Sequence, residues 1–122
     1  MSDAYRIVFR RTGGPEVLEV ESIELPQPAA GEVLIRQEAV GLNFIDTYHR
    51  TGLYPLPLPA TPGTEGAGIV EAVGEGVDNF REGDRVGCVS RSVGAYASHR
   101  AIPADAVVKL PEGVDAELAA AS

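Results

Sequence analysis

The segment from residue 43 to residue 54 carries the side chains best suited to chemistry. It brings together an amide, a carboxylate, a hydroxyl and two phenols: Asn43, Asp46, Thr47, Tyr48 and Tyr54. Amide and phenol groups orient a carbonyl by hydrogen bonding, and aromatic rings stack on flat conjugated ligands. In a helix, Asn43 and Asp46 share one face, whereas Tyr48 lies nearer Phe44. The segment is a candidate cleft lining, although by itself it fits a capped helix with core aromatics better.

Metal-binding side chains are too few to indicate a metal centre. The two histidines, His49 and His99, stand in no metal-ligand spacing, and Cys88 is the single cysteine. A zinc site needs three or four ligands brought together, so we interpret both histidines as solvated or hydrogen-bonded. Cys88 lies in an apolar stretch with no adjacent histidine, and we interpret it as a small buried hydrophobe and not as a nucleophile.

The glycine-rich stretches do not form a nucleotide fingerprint. Residues 66–71 and 74–79 each contain Gly-x-Gly without the third glycine, and neither opens a predicted helix. A phosphate site of this kind needs a helix N-terminus aimed at the phosphate. We therefore predict that these glycines serve turns and close backbone approaches in a small barrel.

Composition narrows the possible partners. The chain has 122 residues, about one domain, with 10 Lys plus Arg against 18 Asp plus Glu and a net charge of −8. Such a surface repels nucleic acid and anionic lipid, so we expect neither nucleic acid nor membrane as a partner. No apolar run is long enough for a membrane span, and the first residues do not resemble a signal peptide. The expected location is the cytoplasm.

The elements that must position the candidate residues are mostly strands. Alternation of apolar and polar residues between Gly and Pro breaks predicts strands over residues 4–10, 17–25, 32–42, 65–74, 84–89, 94–102 and 106–110. One short helix is predicted over residues 43–52, with Asn43 as N-cap and Gly52 at its end. Four prolines make residues 54–63 a loop. The mixed faces of the strands favour a barrel wall.

The last residues predict the beginning of a longer helix. Pro111 and Gly113 form a break, Asp115 is a candidate N-cap, and residues 117–121 are strong helix formers. A helix of about eight residues at a free end is marginal. We therefore divide the chain into a domain over residues 1–114 and, over residues 115–122, the start of a helix that leads into a further domain.

Several motifs together resemble one known family. They are PGTEGAGIVEAVG at residues 62–74, GV at 76–77, FREGDRV at 80–86, GGPEVL at 13–18, GLNFID at 41–46 and GAYA at 94–97. In their order along the chain, these motifs resemble the NADPH:quinone oxidoreductase, or zeta-crystallin-like, branch of the medium-chain dehydrogenase/reductase superfamily. The resemblance implies a mainly β fold with short helices: a GroES-like, partly open β-barrel that forms the N-terminal catalytic domain, followed by a Rossmann domain.

The resemblance also implies a metal-free site. Asn43 and Thr64 stand where related zinc alcohol dehydrogenases have a cysteine and a histidine ligand, and the lobe of four structural cysteines is absent. An alcohol needs a Lewis acid to stabilise alkoxide character, whereas a quinone spreads the incoming charge over its own ring. Zinc would be dispensable, and Glu65, beside the lost histidine, is interpreted as structural.

By similarity, the activity is hydride transfer from NADPH, bound mainly by the further domain, to a quinone or conjugated carbonyl. Asn43, Phe44, Asp46 and Tyr48 would line the cofactor side of the cleft, with Tyr54 beside them. Tyr48 and Tyr54, assisted by Asn43, would polarise the acceptor or pass it a proton. The parent protein is expected to be a homodimer, and the isolated domain to be inactive.

Three other functions stay open at this stage. The first is a reductase of α,β-unsaturated carbonyls, which the residues of this chain do not exclude. The second is a non-enzymatic, GroES-like binding module, against which the residues of the 43–54 segment argue. The third is a bulk structural role of the crystallin kind, because fold and function separate easily.

Overall fold

The computed structural model describes residues 4–41, 44–53, 55–89 and 93–111, with the backbone alone at residues 44, 45 and 89. Within these ranges lie seven strands, one α-helix and two short 3-10 turns. The strands are β1 (Tyr5–Val8), β2 (Glu19–Ser22), β3 (Glu32–Val40), β4 (Glu65–Val73), β5 (Arg85–Val89), β6 (His99–Pro103) and β7 (Val107–Lys109). The helix α1 spans Phe44–Thr51, and the 3-10 turns span Pro15–Val17 and Ala104–Ala106.

All the pairings between these strands are antiparallel. Five strands form one sheet in the order β6-β3-β4-β5-β7, and β1 and β2 form a second sheet. Isolated bridges join Arg6 of β1 to Ala97, shortly before β6, and Phe9, just after β1, to Ala60 in the loop before β4. The mainly β fold is confirmed. In the described residues the sheets do not close into a complete barrel, because β6 and β7 are the two edge strands of the larger sheet and do not pair with each other.

Each stretch that the residue alternation predicts as a strand contains one, but the prediction is wrong for residues 94–98. The sixth strand begins only at His99. Gly94 has a φ of +128°, and the N–H groups of Gly94 and Ala95 both donate to the carbonyl of Gly63, at 3.0 and 3.1 Å. These bonds hold the 94–98 segment against the loop before β4, and not along β3 as a full strand. The predicted terminal helix at 115–122 lies outside the described residues.

The core fills the inner face of the larger sheet. Val33 and Ile35 on β3 are fully buried, and they pack in one cluster with Val70, Phe80, Val86, Cys88, Ile102 and Val107. Burial of each such aliphatic side chain contributes about 1.5–3 kcal/mol to the free energy of unfolding. A smaller cluster beneath β1 contains Phe9, Val17 and Ala60. The two clusters make the sheets a rigid support for the loops between them.

Within the described residues, no helix has the length and apolar character needed to cross a bilayer.

A close approach of β3 and β4 depends on glycine. Gly68 lies opposite Gln37, next to an irregularity in the register between the strands. A Cβ at Gly68 would overlap the backbone carbonyl of Arg36, a group that the sheet holds in place. The prediction that glycines of this stretch serve close backbone approach is confirmed at this position.

Gly68→Ala is expected to lower the free energy of unfolding by about 1–3 kcal/mol, because the backbone of β3 must shift to admit the methyl group. The matched control is Gly87→Ala on β5, where a new Cβ comes no closer than 3.4 Å to its nearest neighbour, Leu110 Cδ2. Urea unfolding of both variants measures the difference. Equal stability of the two would contradict the close approach.

Candidate functional site

The helix α1 carries most of the predicted site residues that the structure describes. It ends as the sequence predicts: Gly52 has a φ of +90°, and its N–H donates to the carbonyls of Tyr48 and His49, at 3.1 and 3.2 Å. A left-handed residue of this kind terminates a helix at little cost only when it is glycine. The predicted N-cap, Asn43, lies outside the described residues.

The inward face of α1 is held by a partly buried hydrogen bond. The Tyr96 hydroxyl donates to Oδ2 of Asp46 at 2.9 Å, and Asp46 is only 5% exposed. Burial raises the pKa of the Tyr96 phenol, and the hydrogen bond to the carboxylate raises it further. The phenol therefore keeps its proton and acts as a donor. The structure brings together two residues that are 50 positions apart in the chain.

A second contact holds the other end of the helix. Nε of Arg50 donates to the carbonyl of Gly13 at 3.2 Å, and the N–H of Gly13 donates to the carbonyl of Arg50 at 2.9 Å. Asp46 and Arg50 are four residues apart, so both contacts lie on one face of α1. These two contacts connect α1 to the rest of the fold through that face.

Tyr48 lies on the outer face of α1. It stands two residues after Asp46, about 200° around the helix, and its side chain is 36% exposed. Leu53, just beyond the helix, is 62% exposed. The described part of the predicted site therefore has one phenol directed outward and one carboxylate directed inward.

The segment that carries Tyr96 is itself bound from three directions. Nε2 of Gln37 on β3 donates to the carbonyls of Ala95 and Ala97, at 2.6 and 3.0 Å. The N–H of Ile7 on β1 donates to the carbonyl of Tyr96 at 2.8 Å, and the N–H of Tyr96 donates to the carbonyl of Pro62 at 3.0 Å. Tyr96 is thus tied to both sheets and to the loop before β4.

The remaining predicted residues are only partly placed. Asn43 and Tyr54 lie outside the described residues, and Phe44 opens α1 with its backbone alone described. Thr47 is exposed, whereas Thr64 and Glu65 are half-buried at the start of β4. The backbone carbonyl of Glu65 accepts from the N–H of Gly41 at 3.1 Å, a structural contact.

His99 has the hydrogen-bonded environment that the sequence indicates. Its Nδ1 lies 2.9 Å from Oγ of Ser98, and its Nε2 lies 3.4 Å from Oε2 of Glu71. Glu71 also pairs with Arg36 at 3.0 Å. His49 lies half-buried in α1. Over the described ranges, no three His, Cys, Asp or Glu side chains are grouped closely enough to hold a metal ion.

Cys88 is a core residue, as the sequence predicts. It is 4% exposed, and burial raises the pKa of its thiol, which the nearby Arg100 guanidinium offsets only in part. Arg100 is itself 8% exposed, and its Nη2 donates to the carbonyl of Val93 at 3.4 Å. A thiol with a raised pKa in an apolar core is a poor nucleophile.

Comparison with known proteins identifies the family to which the chain belongs. Residues 29–112 match the alcohol dehydrogenase GroES-like domain, and the chain belongs to that family. Within it, the chain is 50% identical to a quinone oxidoreductase of Pseudomonas aeruginosa over 119 residues, which are 97% of this chain and 37% of that protein. The predicted resemblance to quinone oxidoreductases of the medium-chain dehydrogenase/reductase superfamily is confirmed.

Two further relatives extend the comparison. The crystal structure of Escherichia coli quinone oxidoreductase complexed with NADPH is 48% identical, with a TM-score of 0.93, and the match covers 97% of this chain and 36% of that one. A 2-haloacrylate reductase of Burkholderia sp is 40% identical over 113 residues, 88% of this chain and 34% of that protein. The chain thus spans about a third of the length of the curated relatives it matches.

The Tyr96 phenol is expected to ionise above the ordinary tyrosine value of 10.0. Since folding favours its protonated form, its contribution to stability is complete below that value and is lost as the pH rises through the folded-state pKa. The pKa of the Tyr96 phenol is measured by following phenolate absorbance against pH in the native protein and in the Tyr96→Phe variant. If Tyr96→Phe removes a phenol that titrates at the ordinary value, the hydrogen bond from Tyr96 to Asp46 is absent.

Cys88 is expected to react with a thiol reagent at least about tenfold more slowly in the native protein than in urea, because its thiolate is both disfavoured and shielded. The single cysteine makes the signal specific, and Cys88→Ser supplies the blank. Reaction at the same rate in both conditions would contradict the buried environment.

Proposed function

We propose that this chain is the catalytic, substrate-side domain of an NADPH-dependent quinone oxidoreductase, in which hydride passes from NADPH to a quinone. The observation that carries the proposal is α1, which is anchored by its inner face and presents Tyr48 on its outer face. The 50% sequence identity to a quinone oxidoreductase over 119 residues supports the proposal. In this proposal residues 1–114 form the catalytic domain, and residues 115–122 lead into a nucleotide-binding domain.

The described residues fit the nicotinamide side of a cofactor site. An outward, partly exposed phenol at Tyr48 offers a flat ring and a hydroxyl to a conjugated ligand. We propose that Asn43, Phe44, Asp46 and Tyr48 form this side of the cleft, where Asp46, which is 5% exposed, also holds the helix through its bond to Tyr96. NADPH, when bound, supplies the hydride. No glycine-rich phosphate fingerprint occurs in the sequence, so we assign the phosphates to the second domain.

In the proposed reaction the acceptor receives a hydride and then a proton. Hydride addition leaves negative charge on a quinone oxygen, and the quinone ring delocalises it, so modest hydrogen bonding is sufficient. We assign that hydrogen bonding, and delivery of the proton, to Tyr48 and Tyr54, with Asn43 orienting the acceptor. Zinc has no step in this scheme: Asn43 and Thr64 lack the side chains that bind it in zinc alcohol dehydrogenases.

The partners, the location and the oligomeric state of the parent protein are part of the same proposal. The partner is a small-molecule quinone or conjugated carbonyl, with neither nucleic acid nor membrane, in keeping with the net charge of −8. We propose a cytoplasmic, homodimeric parent protein, and we expect the 122-residue chain alone to be inactive.

A second function is favoured by one relative. The 40% identity to a 2-haloacrylate reductase supports reduction of α,β-unsaturated carbonyl compounds by the same residues. Such an acceptor also delocalises charge after hydride addition, so the same hydrogen-bond donors serve it. Comparing NADPH oxidation by the full-length protein with a quinone and with a conjugated enone or haloacrylate separates the two.

Replacement of both phenols tests the proposed site. Tyr48→Phe combined with Tyr54→Phe in the full-length protein is expected to lower kcat/KM for a quinone by about 100-fold, since donors of this kind contribute about 10²–10⁴-fold. The control is Tyr5→Phe, a phenol on β1 that is 46% exposed and is expected to leave the rate unchanged. Unchanged kinetics in the double variant would remove the role of both tyrosines.

A further inference from the structure

Two exposed leucines follow the helix that carries Tyr48. Leu53 is 62% exposed and Leu58 is 45% exposed. Residues 51–64 contain no Asp, Glu, Lys, Arg or His, although charged residues make up 23% of the chain. The two leucines therefore offer a ligand an apolar surface in an uncharged part of the chain, so binding there removes no water from a charged group of that stretch.

The end of α1 brings Leu53 close to Tyr48. The N–H of Gly52 donates to the carbonyls of Tyr48 and His49, at 3.1 and 3.2 Å, and Gly52 has a φ of +90°. In a helix end of this type, the residue after the glycine commonly packs against the residue three positions before the helix end. Leu53 and Tyr48 stand in those two positions, so a ring that meets the Tyr48 phenol has an apolar neighbour in Leu53.

Leu58 lies in a loop whose two ends are held by one stretch of the chain. At one end, a Cβ at Gly52 would lie 3.1 Å from Cγ2 of Thr12. At the other end, Ala60 exchanges two backbone hydrogen bonds with Phe9, at 2.8 and 2.9 Å. Phe9 and Thr12 are three residues apart, so at most about 11 Å separates them. The loop therefore returns to the region of the end of α1 two residues after Leu58.

Proline residues and core packing hold this loop in shape. Three prolines between residues 55 and 59 have a fixed φ, and Leu56 packs against the smaller core cluster. Leu58 is thus exposed on an anchored loop. A surface that is already ordered binds a ligand at a lower cost in conformational entropy than a flexible one.

We propose that Leu53 and Leu58 bind the apolar substituent of the quinone whose ring meets Tyr48, so that the protein favours quinones with longer alkyl chains. This inference rests on the proposed function. Each methylene group that leaves water strengthens binding by up to about fourfold. No charge develops on an alkyl chain during hydride transfer, so the chain is bound equally in the ground state and in the transition state. The selectivity therefore belongs to KM and not to kcat.

The test measures kcat/KM of the full-length protein, with NADPH, for methyl-, propyl- and hexyl-1,4-benzoquinone. The ratio of kcat/KM for the hexyl over the methyl compound is expected to be about tenfold, since an open surface covers the chain only in part. Leu53→Ser combined with Leu58→Ser is expected to bring this ratio below about twofold. Leu58→Met keeps an apolar side chain and is expected to keep the ratio.

Leu25→Ser is the matched control, because it makes the same change at another exposed leucine. Leu25 is 36% exposed, and it follows Ile23, whose N–H donates to the carbonyl of Ala4 at 3.0 Å. It therefore lies beyond the end of β1 that is opposite to Phe9. This variant is expected to keep the full ratio.

Three outcomes count against the inference. Equal kcat/KM for the methyl and hexyl compounds in the wild-type protein would overturn it and leave the proposed function in place. A ratio that the double serine variant does not change would also overturn it, and a lower Tm of that variant would then assign the leucines to contacts with protein. If the wild-type protein reduces none of these quinones with NADPH, the proposed function fails and the inference fails with it.

Discussion

The hydrogen bond from Tyr96 to Asp46 is the constraint on which the arrangement of the site depends. It joins a short helix to a segment that is bound to β1, to β3 and to the loop before β4. Both sheets are thus connected to α1 through one phenol. A buried carboxylate without such a donor is costly, so the bond also explains how Asp46 is tolerated at 5% exposure. The core packs the sheets, and this bond is one of the contacts that connect them to the helix.

Small residues make that connection geometrically possible. Gly63 leaves room for the Tyr96 ring, and Gly68 lets β3 and β4 approach closely. Gly66 does the same beside Gln37, whose amide holds the segment on both sides of Tyr96. The glycine-rich stretch thus has a structural purpose: it permits close packing around the support of α1. A nucleotide-binding purpose for these glycines is not needed to explain their positions.

Local patterns in the sequence identified the elements better than their connections. The alternation in residues 32–42 identified β3, and Gly52 identified the end of α1, because both are properties of neighbouring residues. The 94–98 segment was misassigned because its shape depends on hydrogen bonds to Gly63 and Gln37, far away in the chain. The partnership of Asp46 with Tyr96 was missed for the same reason. The one local signal of an anchored helix face was the spacing of Asp46 and Arg50, which places both residues on the same side of the helix. That spacing does not name their partners.

In the proposed function, the β sheets support a short helix, one face of which meets a conjugated acceptor. Asp46 lies on the hydrogen-bonded inner face of α1, and Tyr48 lies on the exposed outer face; the proposal gives the first a structural role and the second a chemical one. The most direct test is a crystal structure of the full-length protein with NADPH and a quinone. The account predicts the nicotinamide and the quinone against the outer face of α1, with a quinone oxygen hydrogen-bonded to Tyr48 or Tyr54. Binding of both ligands elsewhere, with that face open to solvent, would contradict it.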